Sequence, residues 1–162
     1  MRCLYSHDQK RITIRNARIS DIDALKRIED KSFKYPYSKH LLLYLLNTCD
    51  VFLVAVTGDP EGVVGYICGS IEIRRGVELG HIISIAVDPS YRRKGIGRRL
   101  MEEVIEFYKR RGISAIYLEC RVSNKVAQRF YEKLGFRKEC IIKGYYENGE
   151  DAIVYKKDLS KI

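Results

Sequence analysis

The chain has 162 residues, a length that fits one domain with a real hydrophobic core. Apolar residues make up 46% and charged residues 31%, the balance of a soluble globular protein, and no apolar run approaches a bilayer-spanning length. A net charge of +9 leaves three partner classes open: nucleic acid, an acidic surface, or a phosphorylated cofactor.

Residues 1–11 are polar, lack the apolar core of a signal peptide, and form an expected flexible leader. The run at residues 12–18 alternates like a strand. Ser20-Asp21-Ile22-Asp23 resembles a capping box that opens a helix, with Ile22, Leu25 and Ile28 as its apolar stripe. Pro36, within Phe33-Lys34-Tyr35-Pro36-Tyr37-Ser38, breaks that helix. A second helix is expected from Ser38 to about Asn47.

Strands follow at Val51–Thr57, after a turn at Gly58–Gly62 at Val63–Arg74, and at Val77–Val87, with Arg75-Gly76 as a second turn. A helix then runs to about Arg111 and stops at Gly112. A strand at Ala115–Val122, a helix capped by Ser123-Asn124 and ended by Gly135, and strands at 136–144 and 151–157 complete the chain. This order predicts an α/β fold with a mixed sheet and helices on its faces. Five scattered cysteines include no C-x-x-C pair, which fits free thiols in a reducing cytoplasm rather than a zinc ribbon or disulfide framework.

The excess charge concentrates at Arg92, Arg93, Lys94, Arg98 and Arg99. These flank Gly95-Ile96-Gly97, between an apolar strand and an amphipathic helix. Glycine lets the backbone turn sharply and approach a ligand closely. The N–H groups that open the helix have no intrahelical partners, which makes a ready phosphate site. The element order is not that of a dinucleotide-binding fold, the third glycine of G-x-G-x-x-G is missing, and G-x-x-x-x-G-K-[ST] is absent. A second basic group lies at Arg74 and Arg75, and a third, Lys109-Arg110-Arg111, fits a solvated helix C-terminus.

Arg92-Arg93-Lys94-Gly95-Ile96-Gly97 matches the R/Q-x-x-G-x-G/A signature of the GCN5-related N-acetyltransferases. The segment from Leu118 to Ala127, followed by Phe130-Tyr131-Glu132-Lys133-Leu134-Gly135-Phe136, resembles that family's second signature. Gly80–Val87 and Lys143–Ala152 resemble its protein N-terminal acetyltransferase branch, including archaeal enzymes and the RimI-type enzymes of ribosomal proteins. The resemblance covers residues 12–159. It implies one domain of this fold, with a mostly antiparallel sheet, a splayed strand pair and helices on both faces.

The resemblance implies acetyl-CoA as co-substrate. Backbone N–H groups and side chains of Arg92, Arg93, Lys94, Gly95, Ile96, Gly97 and Arg98 then hold its pyrophosphate. Ile85, Ala86 and Val87 pair with the pantetheine arm as an added strand does, and Asn124 and Tyr131 touch the cofactor further along. Glu119 matches the catalytic glutamate of RimI-type and archaeal enzymes, and His81 a histidine of archaeal relatives. Both are candidate general bases, sharing the work through an ordered water, and Tyr131 is the candidate acid for the leaving thiolate. On the residues alone, Glu119 could instead pair with an arginine, His81 could be a satisfied structural histidine, and Tyr131 a core aromatic. Tyr35, Pro36 and Tyr37 in one loop and Tyr145 and Tyr146 in another are implied to contact the acceptor peptide, as is Glu119.

The expected reaction is direct acetyl transfer to the free amino group of a protein N-terminus, in the cytoplasm and possible at the ribosome, without metal, membrane or specific nucleic acid. Two alternatives stand beside it: an acetyltransferase for lysine or small amines, and a basic module that binds RNA or the ribosome without catalysis.

Overall fold

The computed structural model describes residues 12–58 and 61–160. The expected leader at 1–11 and the Asp59-Pro60 part of the first turn lie outside the described residues. Among the described residues seven strands are present: β1 (Thr13–Asn16), β2 (Val51–Thr57), β3 (Gly62–Arg74), β4 (Val77–Val87), β5 (Ala115–Arg121), β6 (Arg137–Ile142) and β7 (Ala152–Asp158). Four helices accompany them: α1 (Ile22–Ser32), α2 (Lys39–Thr48), α3 (Ile96–Arg110) and α4 (Lys125–Lys133). The fold is mixed α/β and mostly antiparallel with one parallel strand pair, as the sequence implies. Contacts gather the chain into two compact units. One runs up to Ser70 and takes in Ser84–Glu106; the other joins Ile71–Ile83 to Phe107 and the residues after it.

In the first unit β2 pairs antiparallel with β1 and with β3, with a register shift at Ala55/Val56. Leu25, Ile28, Leu42, Leu45, Val54, Ile67, Leu100 and Met101 are buried there. Gly65 sits at a tight approach: a β-carbon on it would lie 3.2 Å from the Ala86 carbonyl oxygen and 3.3 Å from Leu100 Cδ1.

The start of α1 differs from the sequence expectation. A 3-10 turn at Ile19–Asp21 precedes the helix, and Asp21 rather than Ser20 makes the side-chain contact. Asp21 accepts the Arg18 N–H at 2.7 Å and a bidentate pair from Arg15 at 2.8 and 2.9 Å. A carboxylate held by a guanidinium fork outcompetes a neutral serine hydroxyl for this position. Ser38 does cap α2, accepting the Leu41 N–H at 3.1 Å.

The α1 stripe also carries a charged group. Glu29 is buried, accepting the Tyr66 hydroxyl at 2.5 Å and the Tyr37 N–H at 2.9 Å. Burial raises its pKa, against the lowering pull of those two hydrogen bonds. Lys26 donates to the Tyr37 carbonyl at 3.0 Å, so α1 side chains hold both backbone polar groups of Tyr37.

In the second unit β5 pairs in parallel with β4 at Gly80↔Ile116 and His81↔Tyr117 and antiparallel with β7, which pairs antiparallel with β6. Tyr108, Ile116, Leu118, Phe136 and Tyr155 are buried in it. A β-carbon at Gly80 would meet Ile116 Cγ2 at 2.6 Å and the Tyr108 ring at 2.8 Å, so only glycine lets β4 lie this close beside β5. Asn124 caps α4, accepting the Ala127 N–H at 3.1 Å. Arg75 and Gly76 both have positive φ, as a tight two-residue hairpin turn requires.

Candidate active site

The turn between β4 and α3 carries the exposed cations of the signature. Arg92, Arg93, Lys94, Gly95 and Arg98 are exposed, while Ile96 is buried and anchors the segment. Gly95 has φ +78°, and a β-carbon there would meet nothing within 4 Å. Arg93 shares the left-handed region at φ +63°. The Arg99 N–H reaches the Gly95 carbonyl at 3.1 Å as a helical bond, so the N–H groups of Ile96, Gly97 and Arg98 open the helix ahead of it. Open space, unpaired N–H positions at a helix start and clustered cations fit a diphosphate.

Two arginines of this cluster also have structural bonds. Arg92 Nε donates to the Val87 carbonyl at 3.1 Å, tying the end of β4 to the turn. Arg99 donates to the Ile12 carbonyl at 2.8 Å. Ile85, Ala86 and Val87 end β4 in this same unit, which also holds Tyr35, Pro36 and Tyr37.

The second unit assembles the titratable groups. Parallel pairing of β4 with β5 sets His81 beside Tyr117, and two-residue alternation puts Glu119 on the same face as Tyr117. His81 Nε2 lies 2.7 and 3.1 Å from the two Glu119 carboxylate oxygens. His81 Nδ1 lies 2.9 Å from Glu72 Oε1. The imidazole stacks on the Tyr117 ring at 4.4 Å between centroids, with 4° between planes. Tyr145 donates its hydroxyl to Glu119 Oε1 at 3.0 Å, and Tyr117 donates to Glu72 Oε2. The result is a chain of groups: Tyr117, Glu72, His81, Glu119, Tyr145. It borders a cleft of about 310 Å³ also lined by Arg74, Leu79, Ile142 and Val154.

The charges in this chain reinforce one another. Burial pulls the His81 pKa down, but the hydrogen bonds and charges of Glu119 and then Glu72 outweigh it and leave it raised. Burial pushes Glu72 up, and hydrogen bonds from Tyr117 and His81 with the charges of His81 and Arg74 bring it below its ordinary value. Tyr145 is pushed up to about 12, first by burial and then by the Glu119 charge.

The remaining candidates separate. Tyr146 packs edge-on against Tyr145 and lies under the Arg121 guanidinium at 4.0 Å. Tyr131 is buried among Phe130, Phe136 and Tyr155, and burial raises its pKa, so it keeps its proton. The Asn124 side-chain oxygen is engaged at the α4 cap. Glu119 faces His81 and Tyr145, each within hydrogen-bond distance of its carboxylate.

Sequence reasoning did not pick out Glu72 or Tyr117. A signal for Glu72 was available: alternation about the Arg75-Gly76 turn puts Glu72 and Arg74 on one face of β3. Among the described residues no group of three or more His, Cys, Asp and Glu could hold a metal ion. None of the described cysteines is in a disulfide; Cys68 and Cys120 are buried and Cys140 is exposed. No described helix is long and apolar enough to cross a membrane.

Residues 22–136 match the Acetyltransferase (GNAT) family. The chain is 41% identical over 161 residues to the N-alpha-acetyltransferase of Saccharolobus solfataricus, covering 91% of this chain and 93% of that one. It is 29% identical to the [ribosomal protein bS18]-alanine N-acetyltransferase of Escherichia coli, covering 91% and 98%. The crystal structure of Ard1 from Thermoplasma volcanium superimposes with a TM-score of 0.83 at 30% identity, covering 91% and 97%. The chain belongs to the GNAT acetyltransferase family. It is an acetyl-CoA-dependent N-acyltransferase.

Proposed function

We propose that this chain acetylates the free α-amino group of a protein N-terminus, with residues 12–159 as its catalytic domain. The observation that carries the reading is the His81–Glu119 contact at 2.7 Å, capped by the Tyr145 hydroxyl. Similarity to an archaeal N-alpha-acetyltransferase at 41% identity supports the same acceptor.

The chemistry suits an α-amine. With a pKa of about 7.7–8.0, roughly a quarter of such amines are neutral near pH 7.4, against about 0.1% of lysines. A base of modest strength therefore completes the task for an α-amine and faces a far harder one for lysine. Bound acetyl-CoA supplies the acetyl group as a thioester. Arg92, Arg93, Lys94, Gly95, Ile96, Gly97 and Arg98 would hold its diphosphate, and Ile85, Ala86, Val87, Asn124 and Tyr131 would contact the rest of the cofactor.

The proton bookkeeping belongs to the chain's own side chains. The Glu119–His81 pair takes the proton that the amine nitrogen loses as its bond to the acetyl carbon forms. Tyr131, kept protonated by burial, holds the proton destined for the departing sulfur. Tyr145 anchors Glu119, and Tyr146, Tyr35, Pro36 and Tyr37 offer apolar walls and hydroxyls to the acceptor. The setting is cytoplasmic, and the ribosomal-protein acceptor of the E. coli relative supports action near the ribosome.

The test is steady-state transfer to short peptides that differ at their first two residues. An N-blocked peptide with an internal lysine serves as control. Transfer to free N-termini is expected; transfer to the lysine control alone sinks the reading.

A further inference from the structure

We propose that Glu72 is a positioning residue for the proton-accepting pair: it orients His81 and fixes which ring nitrogen exchanges a proton with Glu119. The inference rests on the reading of His81 and Glu119 as that pair.

A neutral imidazole has one N–H and one lone pair. His81 meets a carboxylate oxygen at each nitrogen, Glu72 at 2.9 Å on Nδ1 and Glu119 at 2.7 Å on Nε2. Ionised carboxylates only accept, so a neutral histidine cannot satisfy both. In the proposed arrangement the N–H of the neutral ring sits on Nδ1 and donates to Glu72, leaving the Nε2 lone pair toward Glu119. The Nε2–Glu119 contact then holds one further proton, shared between a nitrogen and an oxygen of two residues that line the cleft. When that proton is absent, two acceptors face each other and the site is primed to take one from an amine.

Without Glu72 the neutral ring would keep its proton on Nε2, donating to Glu119. The vacant lone pair would move to Nδ1, on the far side of the ring from Glu119. Proton uptake would then occur at the wrong nitrogen. The same logic governs any carboxylate–imidazole pair in which the second nitrogen does the chemistry.

Glu72 is itself held in place. Tyr117 donates to its other oxygen, and an Arg74 guanidinium nitrogen lies 3.5 Å from that oxygen. The Tyr117 ring also stacks on the imidazole at 4.4 Å, and the Arg74 guanidinium lies 4.4 Å from the same ring. Tyr117 thus supports His81 by its face and Glu72 by its hydroxyl. The Glu72 side chain is 35% exposed, so burial alone does not demand that it find a partner.

The titratable and charged neighbours are Glu72 and Arg74 from β3, Tyr117 and Glu119 from β5, and Tyr145 from the loop after β6. Glu139 and Cys140 of β6 and Lys156 of β7 line the same cleft, and α3 contributes the Tyr108 hydroxyl, 3.4 Å from the His81 carbonyl. Of these, Glu119 and Glu72 favour the protonated imidazole.

The test uses the full chain and two readouts. The sequence has three histidines, so imidazole NMR can follow His81 through a pH titration. In Glu72→Gln the amide oxygen can still accept from Nδ1, while the charge is lost. His81 is expected to titrate at lower pH than in wild type. The rising limb of kcat against pH moves the same way and its plateau falls roughly tenfold, a fraction of a full general-base effect. The KM for acetyl-CoA stays unchanged. Glu72→Ala, which also removes the acceptor, shifts the neutral ring toward the Nε2–H tautomer, visible in the nitrogen shifts. An unaltered His81 titration in folded Glu72→Gln overturns the proposal, as does an altered titration with an unaltered kcat profile. A wild-type chain inactive on every peptide N-terminus would sink the acceptor reading instead, and the NMR titration would still decide whether Glu72 governs His81.

Discussion

Replacing Glu119 with glutamine tests the proton-accepting pair with the least disturbance to the fold. The glutamine amide oxygen can keep the Tyr145 hydrogen bond, 3.0 Å in the native chain, and its NH2 can donate to a neutral His81 at Nε2. What disappears is the negative charge beside the imidazole, one of the two carboxylate charges that raise His81. General-base catalysis typically contributes 10²–10⁴-fold, about 2.7–5.4 kcal/mol of barrier at 1.36 kcal/mol per decade. Turnover of an N-terminal peptide should fall by roughly that factor at neutral pH. The folding cost should be only about 1–2 kcal/mol, because hydrogen-bond partners remain. The assay is steady-state kinetics from pH 6 to 9, with calorimetric titration of acetyl-CoA and a thermal melt of the same preparation. An interaction made only in the transition state lowers kcat and leaves cofactor affinity alone. Native-like turnover in Glu119→Gln would refute the reasoning. So would a loss of turnover matched by an equal loss of acetyl-CoA binding, because it would place Glu119 in cofactor binding.

Tyr131→Phe should lower kcat by about 10²-fold if the hydroxyl protonates the thiolate; because the ring still packs on Phe136 and Tyr155, the melting temperature should barely move. Gly80→Ala drives a methyl into Ile116 and Tyr108 and should cost about 1–3 kcal/mol in denaturant unfolding, with turnover falling because His81 is the next residue. Stability should also depend on pH in two opposite senses. Asp21 is lowered, first by the Arg15 hydrogen bond, and Glu72 is lowered too, so both stabilise above their unfolded values of about 3.9–4.3 and lose that contribution as pH falls through their folded values. His81 is raised, so its contribution is complete below about 6.5 and is lost as pH rises through its folded value. Asp21→Asn should flatten the acid-side fall in melting temperature, at a cost of about 1.5–3 kcal/mol near neutrality.

The readable parts of this chain were those set by local pattern. Val51–Thr57 and Val77–Val87 are strands over the residues their β-branched runs mark, and Ser38 and Asn124 cap the helices they precede. The basic turn was legible because its glycines and arginines are consecutive. His81 and Glu119, 38 residues apart, were singled out through resemblance to known enzymes, since no spacing rule joins two strands paired in parallel. Glu72 and Tyr117 were missed for a related reason. Their roles exist only once the β3–β4 hairpin and the β4–β5 pairing bring three strands' side chains onto one face. Glu29 shows the same limit: its 37-residue separation from Tyr66 hides why a glutamate occupies the buried side of α1. At Ser20 the pattern misled, because the cap depends on Arg15, an ion-pair partner outside the capping motif.

The most direct measurement is site mapping on a single peptide that carries both a free N-terminus and an internal lysine. The peptide is incubated with the chain and acetyl-CoA and fragmented in a mass spectrometer. The acetyl group is expected on the α-amine, with the lysine unmodified at matched conversion. Acetyl on the lysine with a free N-terminus would contradict the N-terminal reading.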